Sequence, residues 1–222
     1  MYKITKKERL NESVTLMDVY APHVARKAEP GQFIILRVDE EGERIPLTVA
    51  DYSREQGTVR IIFQVVGATT KQLDMLNEGD FIHDFVGPLG KPSELDCLKR
   101  VAVVSGGVGG AIAFPVAKKL HELGAVVHSI IGFRSKDLVI LENEFREVSD
   151  KLIIMTDDGS YGEKGLVTDA LRKLLETEKY DEVITIGPLI MMKFVCRLTK
   201  EFGIKTTVSL NTIMVDGTGM CG

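Results

Sequence analysis

From residue 98 to about 210, short apolar runs alternate with segments of helical spacing, and this alternation constrains the fold more than any other feature. RVAVVS, VVHSIIGF, KLIIMT, DEVITIG and KTTVSL have the length and β-branched content of buried strands. Between successive runs, the pattern predicts helices over 111–123, 141–148, 166–176 and 189–202. Strands that alternate with helices make a parallel sheet covered on both faces. Gly124 and Gly203 stand where helix C-terminal turns are expected.

The first of these helices opens from an unusual turn, Ser105-Gly106-Gly107-Val108-Gly109-Gly110. Glycines keep no side chain between the backbone and a ligand. The helix that follows aims its free N–H groups and the positive end of its dipole at the same point, which suits a phosphate. A helix that only needs a tight approach turn would use the same glycines, so the motif by itself leaves both readings open.

Residues 1–97 have a different pattern. ESVTLMDVYA, QFIILRV and TVRIIFQVV read as strands separated by turn signals, and only 69–76 reads as helix. Several short strands with one brief helix predict a small antiparallel barrel. Pro88 and Pro92 mark a domain boundary within 87–99. At 222 residues the chain is long enough for two domains. A net charge of -4 gives no sign of a nucleic acid or an anionic membrane as partner. No apolar run approaches the ~20 residues of a membrane span, and MYKITKKERL has no signal-peptide core. Three scattered cysteines suit a reducing compartment, so a cytoplasmic protein is expected.

Within the barrel, Arg44-Ile45-Pro46-Leu47-Thr48 joins an arginine, able to grip a pyrophosphate, to an extended segment whose backbone can bond the edge of a flat ring. Most arginines beside strands are simply solvated. Gly67-Ala68-Thr69-Thr70 begins the short helix, where a threonine can serve as N-cap or hold an anion.

In order along the chain stand an Arg-x-Pro-x-Thr strand, Gly87-Pro88-Leu89-Gly90, the Ser-Gly-Gly-Val-Gly turn and Gly187-Pro188-x-x-Met191-Met192. This order resembles the ferredoxin–NADP reductase superfamily over essentially the whole chain. Within it, the chain looks most like electron-transfer subunits of dihydroorotate dehydrogenase type, and it resembles more closely still the small, alpha subunit of NADH-dependent ferredoxin:NADP oxidoreductase. The resemblance implies an α/β plus β chain: an FAD-binding barrel at 1–97, a Rossmann-like nucleotide domain at 98–210, and at 211–222 the start of a [2Fe–2S]-binding segment. By the same resemblance Arg44, Pro46, Leu47 and Thr48 would line FAD, with Thr48 near the flavin ring. Gly67, Thr69 and Thr70 would sit at its phosphates. Gly106, Gly107, Val108 and Gly109 would form the nicotinamide-nucleotide turn, closed by Gly187, Pro188 and Met191. Asp157, Asp158 and Gly159 would belong to the same pocket. Arg134, after the second strand of this domain, suits the 2′-phosphate of NADPH by general chemistry, whereas the resemblance favours NADH. Many superfamily members have the barrel arginine three places before the hydroxyl residue; Arg44 is four places before Thr48.

The tail NTIMVDGTGMCG ends within a glycine-rich loop, which leads us to expect that the natural protein continues. The resemblance implies that Asp216 and Cys221 are two ligands of the cluster, the others lying beyond Gly222. It further implies a chain that passes electrons between NADH, flavin and cluster and a larger flavin or iron–sulfur subunit, and through that subunit to ferredoxin. The rivals are a subunit of an NAD-dependent dihydroorotate dehydrogenase and, in another class, a flavin-free regulatory or scaffold subunit on the same fold.

Overall fold

Alternation at period two decides the first sheet. In the strand Thr58–Gln64, Val59, Ile61 and Phe63 all turn into the apolar core. In this computed structural model residues 1–210 are described, and they divide into Met1–Ser93 and Glu94–Leu210.

The first unit runs β1 (Tyr2–Asn11), β2 (Val14–Tyr20), α1 (Pro22–Ala25), β3 (Phe33–Arg37), β4 (Ile45–Ser53), β5 (Thr58–Gln64), α2 (Ala68–Met75), β6 (Phe81–Ile82) and β7 (Asp84–Leu89). Every pairing is antiparallel, in the order β6-β1-β2-β5-β4-β3-β7. The two outermost strands, β6 and β7, are separated in the chain by His83 alone. The sheet must therefore curl until its edges nearly meet, which is the expected barrel. Helix α2 is fixed on it by Thr15 Oγ1, which donates to Asp74 at 2.6 Å, and by Lys7 Nζ, which donates to the Leu76 carbonyl at 2.7 Å.

The second unit runs β8 (Arg100–Gly106), α3 (Gly109–Glu122), β9 (Val126–Phe133), α4 (Glu142–Glu147), β10 (Lys151–Thr156), β11 (Glu163–Lys164), α5 (Val167–Thr177), β12 (Glu182–Ile186), α6 (Leu189–Glu201) and β13 (Thr206–Val208). The four expected helices form within two residues of their predicted bounds. All strands are parallel, in the order β11-β10-β9-β8-β12-β13. Ala102, Val104 and Ile130 pack against Leu171 of α5 and Val195 of α6 on one face. Helices α3 and α4 meet through an edge-on Phe114–Phe145 pair, 5.7 Å between centroids. Gly124 and Gly203 take φ of +81° and +67°, and the residues after them close the helices by bonding back to Leu120 and Thr199 at 3.0 and 3.1 Å. No helix among the described residues is long and apolar enough to cross a membrane.

A buried polar pair holds the amino-terminal end of this sheet. His128 Nδ1 lies 2.6 Å from the Tyr180 hydroxyl. Burial lowers the imidazole pKa and raises that of the phenol to about 12. Below about pH 6.5 the unfolded chain binds a proton at His128 that the folded chain refuses, so stability falls as pH drops through that value. The urea midpoint is expected to be lower at pH 5.5 than at pH 7.5, with a smaller drop in His128→Gln. An equal drop in the variant would assign the effect to other groups.

Candidate functional site

In the first unit the site begins where β4 has a partner on one side only. Residues 45–48 pair with β3 in the register Leu36↔Ile45 to Phe33↔Thr48. Pairing with β5 starts only at Val49. The other edge of Pro46-Leu47-Thr48 has no strand partner among the described residues, and these three residues are half-buried while Arg44 beside them is exposed. The start of α2 lies close by, since Thr69 Oγ1 donates to the Glu43 carboxylate at 3.2 Å. A Cβ on Gly67 would meet nothing within 4 Å, so the chain before α2 is open to close approach. The N-cap is Gly67 itself. Thr70 Oγ1 accepts from the amides of Val66 and Gly67 at 3.0 and 2.9 Å, which commits that hydroxyl to shaping the helix start.

In the second unit the chain steps outward from β8 to β9 and β10, then returns to β12 on the other side of β8. In open α/β sheets a reversal of this kind marks where ligands are taken, the crevice at the carboxyl ends of the strands that flank it, here β8 and β12. Residues from both strand ends meet there. A Cβ on Gly109 would lie 2.5 Å from the Ile186 carbonyl oxygen and 2.8 Å from Gly187 Cα. One on Gly106 would lie 2.6 Å from Met191 Sδ and 3.2 Å from Pro188 Cδ. Gly106, Gly109, Gly187, Pro188 and Met191, far apart in sequence, thus share one site. Gly107, at φ +56°, donates to the Gly132 carbonyl at 2.9 Å and faces open space. Val108 is the N-cap of α3; it supplies no side-chain cap, and the first turn carries no acid. An uncapped helix start of this length, fronted by an open glycine, fits a phosphate.

The loops after β9 and β10 are stitched together beside this turn. The Asp157 amide bonds to the Phe133 carbonyl at 3.1 Å, and the Asp158 amide to that of Arg134 at 3.3 Å. Ser160 donates to the Asp158 carboxylate from both its amide and its hydroxyl, at 2.9 and 2.7 Å. Those bonds hold the carboxyl below the usual carboxylate range and turn it into its own loop. Arg134 and Asp157 remain exposed at the rim. Sequence reading missed Tyr161, which locks the loop: its hydroxyl donates to Glu142 at 2.9 Å and its ring lies under Lys136 Nζ. A tyrosine between Ser160 and Gly162 carries no signal of that contact. Asp216 and Cys221 lie outside the described residues.

Residues 1–93 match the oxidoreductase FAD-binding domain family. An uncharacterized protein of Clostridium beijerinckii is 54% identical over 231 residues, covering 100% of this chain and 78% of that protein. A Thermotoga maritima protein described as a dihydroorotate dehydrogenase B (NAD(+)) electron transfer subunit homolog is 50% identical over 220 residues, covering 99% of this chain and 78% of its own length. A solved NADH-dependent reduced ferredoxin-NADP oxidoreductase, studied for flavin-based electron bifurcation, superposes with a TM-score of 0.93 at 49% identity. That match covers 100% of this chain and 80% of the other.

Proposed function

The chain belongs to the electron-transfer subunits of dihydroorotate dehydrogenase B type, within the FAD-binding, ferredoxin reductase-like oxidoreductases, and from that premise we propose how its parts divide the work. Residues 1–97 hold FAD, 98–210 hold a nicotinamide nucleotide, and 211–222 begin a [2Fe–2S] segment with Asp216 and Cys221 as ligands. When bound, FAD would supply hydride acceptance from NADH and one-electron release, and the cluster a path towards a larger partner subunit and, through it, ferredoxin.

The chain's own residues bind and orient. The open edge of Pro46-Leu47-Thr48 reads the flavin ring, and Arg44 with the start of α2 at Gly67 and Thr69 takes the pyrophosphate. The start of α3 takes the phosphates of the nucleotide, with Gly106, Gly107, Val108 and Gly109 letting its backbone come close. Gly187, Pro188 and Met191 close the crevice. At the rim, Asp157 meets the ribose of NADH, and Arg134 leaves room for some binding of NADPH. Asp158 acts through the loop that carries Asp157. A reducing cytoplasm suits Cys97 and Cys196, the free cysteines among the described residues.

The observation that carries this reading is that one chain has both a one-sided β4 beside Arg44 and a glycine cradle at the ends of β8 and β12. Its test is the absorption spectrum of the purified protein, before and after anaerobic NADH. Flavin bands that bleach with NADH are expected. A colourless protein that takes up no FAD would leave the regulatory or scaffold role instead. The likeness to the Thermotoga maritima protein favours one further possibility, a partner that oxidises dihydroorotate. Dihydroorotate-dependent bleaching of the co-purified complex would identify it.

A further inference from the structure

Among the described residues two buried side-chain oxygens have no hydrogen-bond partner, Ser105 Oγ and Thr185 Oγ1. They lie on β8 and β12, the strands that frame the crevice, at or near the carboxyl ends. Thr185 is in register with Val104, which packs among the residues of α5 and α6, so it faces away from α3. Ser105 faces the other layer. It is 1% exposed, and a Cβ on Gly110 would lie 3.7 Å from its hydroxyl. The hydroxyl therefore sits beneath the first turn of α3, the turn with no side-chain cap and no acid. An unmade buried hydrogen bond is costly, and alanine or valine would end the strand without it. Such a group in a folded protein asks for a reason.

We infer that Ser105 is a positioning residue for the nicotinamide nucleotide, acting through the first turn of α3. This rests on the nucleotide reading above. A serine hydroxyl can donate one hydrogen bond and accept two. The first turn closes on itself, Gly110 bonding to Gly107 at 3.1 Å and Ala111 to Val108 at 2.9 Å. With a phosphate in front of the turn, the outward amides serve the phosphate, and the Ser105 hydroxyl beneath accepts a hydrogen bond from an amide of the same turn, the partner that it lacks. The strand end then supports the turn in its binding shape.

The test uses the flavin-loaded protein and two readouts, thermal unfolding without nucleotide and the Kd for NADH. Ser105→Ala is expected to raise the unfolding temperature, because an unsatisfied group is gone. It is also expected to weaken NADH binding roughly tenfold, the scale of one hydrogen bond. Ser105→Thr keeps a hydroxyl and is expected to stay near the parent in affinity. A purely structural serine would move stability and affinity in the same direction. An unchanged NADH Kd in Ser105→Ala, or an unfolding temperature that falls with it, would overturn the inference. If the parent binds no NADH, the nucleotide reading itself fails and this inference fails with it.

Discussion

Gly109→Ala is expected to remove nicotinamide-nucleotide binding and to destabilise the second unit. The added carbon would sit 2.5 Å from the Ile186 carbonyl oxygen and 2.8 Å from Gly187 Cα, both backbone atoms that cannot rotate away. Either α3 or the end of β12 must move. Overpacking of this kind costs about 1–3 kcal/mol. A shift of about 1 Å in a binding turn is enough to lose ~100-fold in turnover. Two neighbours separate the causes. Gly107→Ala meets no protein atom within 4 Å, but it forces a left-handed residue, at about 1–2 kcal/mol, and fills the space where a phosphate comes close. It should lose binding with a smaller loss of stability than Gly109→Ala. Gly110→Ala has only ordinary contacts, 3.7 Å being the nearest, and lies inside the helix. It is expected to be neutral or to gain up to about 1 kcal/mol. Urea unfolding and NADH titration of the three variants check the series. Normal NADH binding by Gly109→Ala would sink the cradle as a nucleotide site.

What was legible in the sequence was whatever repeats locally. Runs such as RVAVVS and KLIIMT are apolar on both faces, so the parallel sheet and its helices could be read directly. Strand β1 was harder. It is ten residues long, but only Ile4 is fully buried, and the lysines, glutamate and arginine around it hide the alternation. Helix α1 has four residues, too few for any period to show. Within the site, the glycines of the turn were plain. That Gly109 needs to be glycine because of Ile186, 77 positions later, was not, since the reason is a contact made only after β8 and β12 pair. The same holds for Thr70 and Asp158. Their residue types suit phosphate or ribose, but the fold gives Thr70 Oγ1 to the amides before α2 and the Asp158 carboxylate to Ser160. A sequence shows which groups are available for binding, and local geometry decides which of them are already in use.

The barrel site yields the second large effect, and here two adjacent residues should act in opposite directions. Arg44→Ala is expected to weaken FAD binding by about 10- to 100-fold, the worth of a charge-assisted, two-pronged contact to a pyrophosphate. Glu43→Gln is expected to tighten it. The Glu43 carboxylate accepts from Thr69 Oγ1 at 3.2 Å, at the start of α2, where a flavin pyrophosphate is proposed to lie. Two like charges at one helix start repel, and removing one relieves the other. Glutamine keeps an acceptor for Thr69, so the loop geometry is retained. General damage to the barrel would weaken binding in both variants, so opposite signs cannot come from instability. Titration of the flavin-stripped protein with FAD, followed by quenching of flavin fluorescence, reads both constants. Higher salt should shrink both effects, since exposed charges are screened over about 10 Å at 0.1 M. If Arg44→Ala binds FAD as tightly as the parent, the four-residue spacing to Thr48 has carried the guanidinium off the pyrophosphate, and the contact must come from α2 alone.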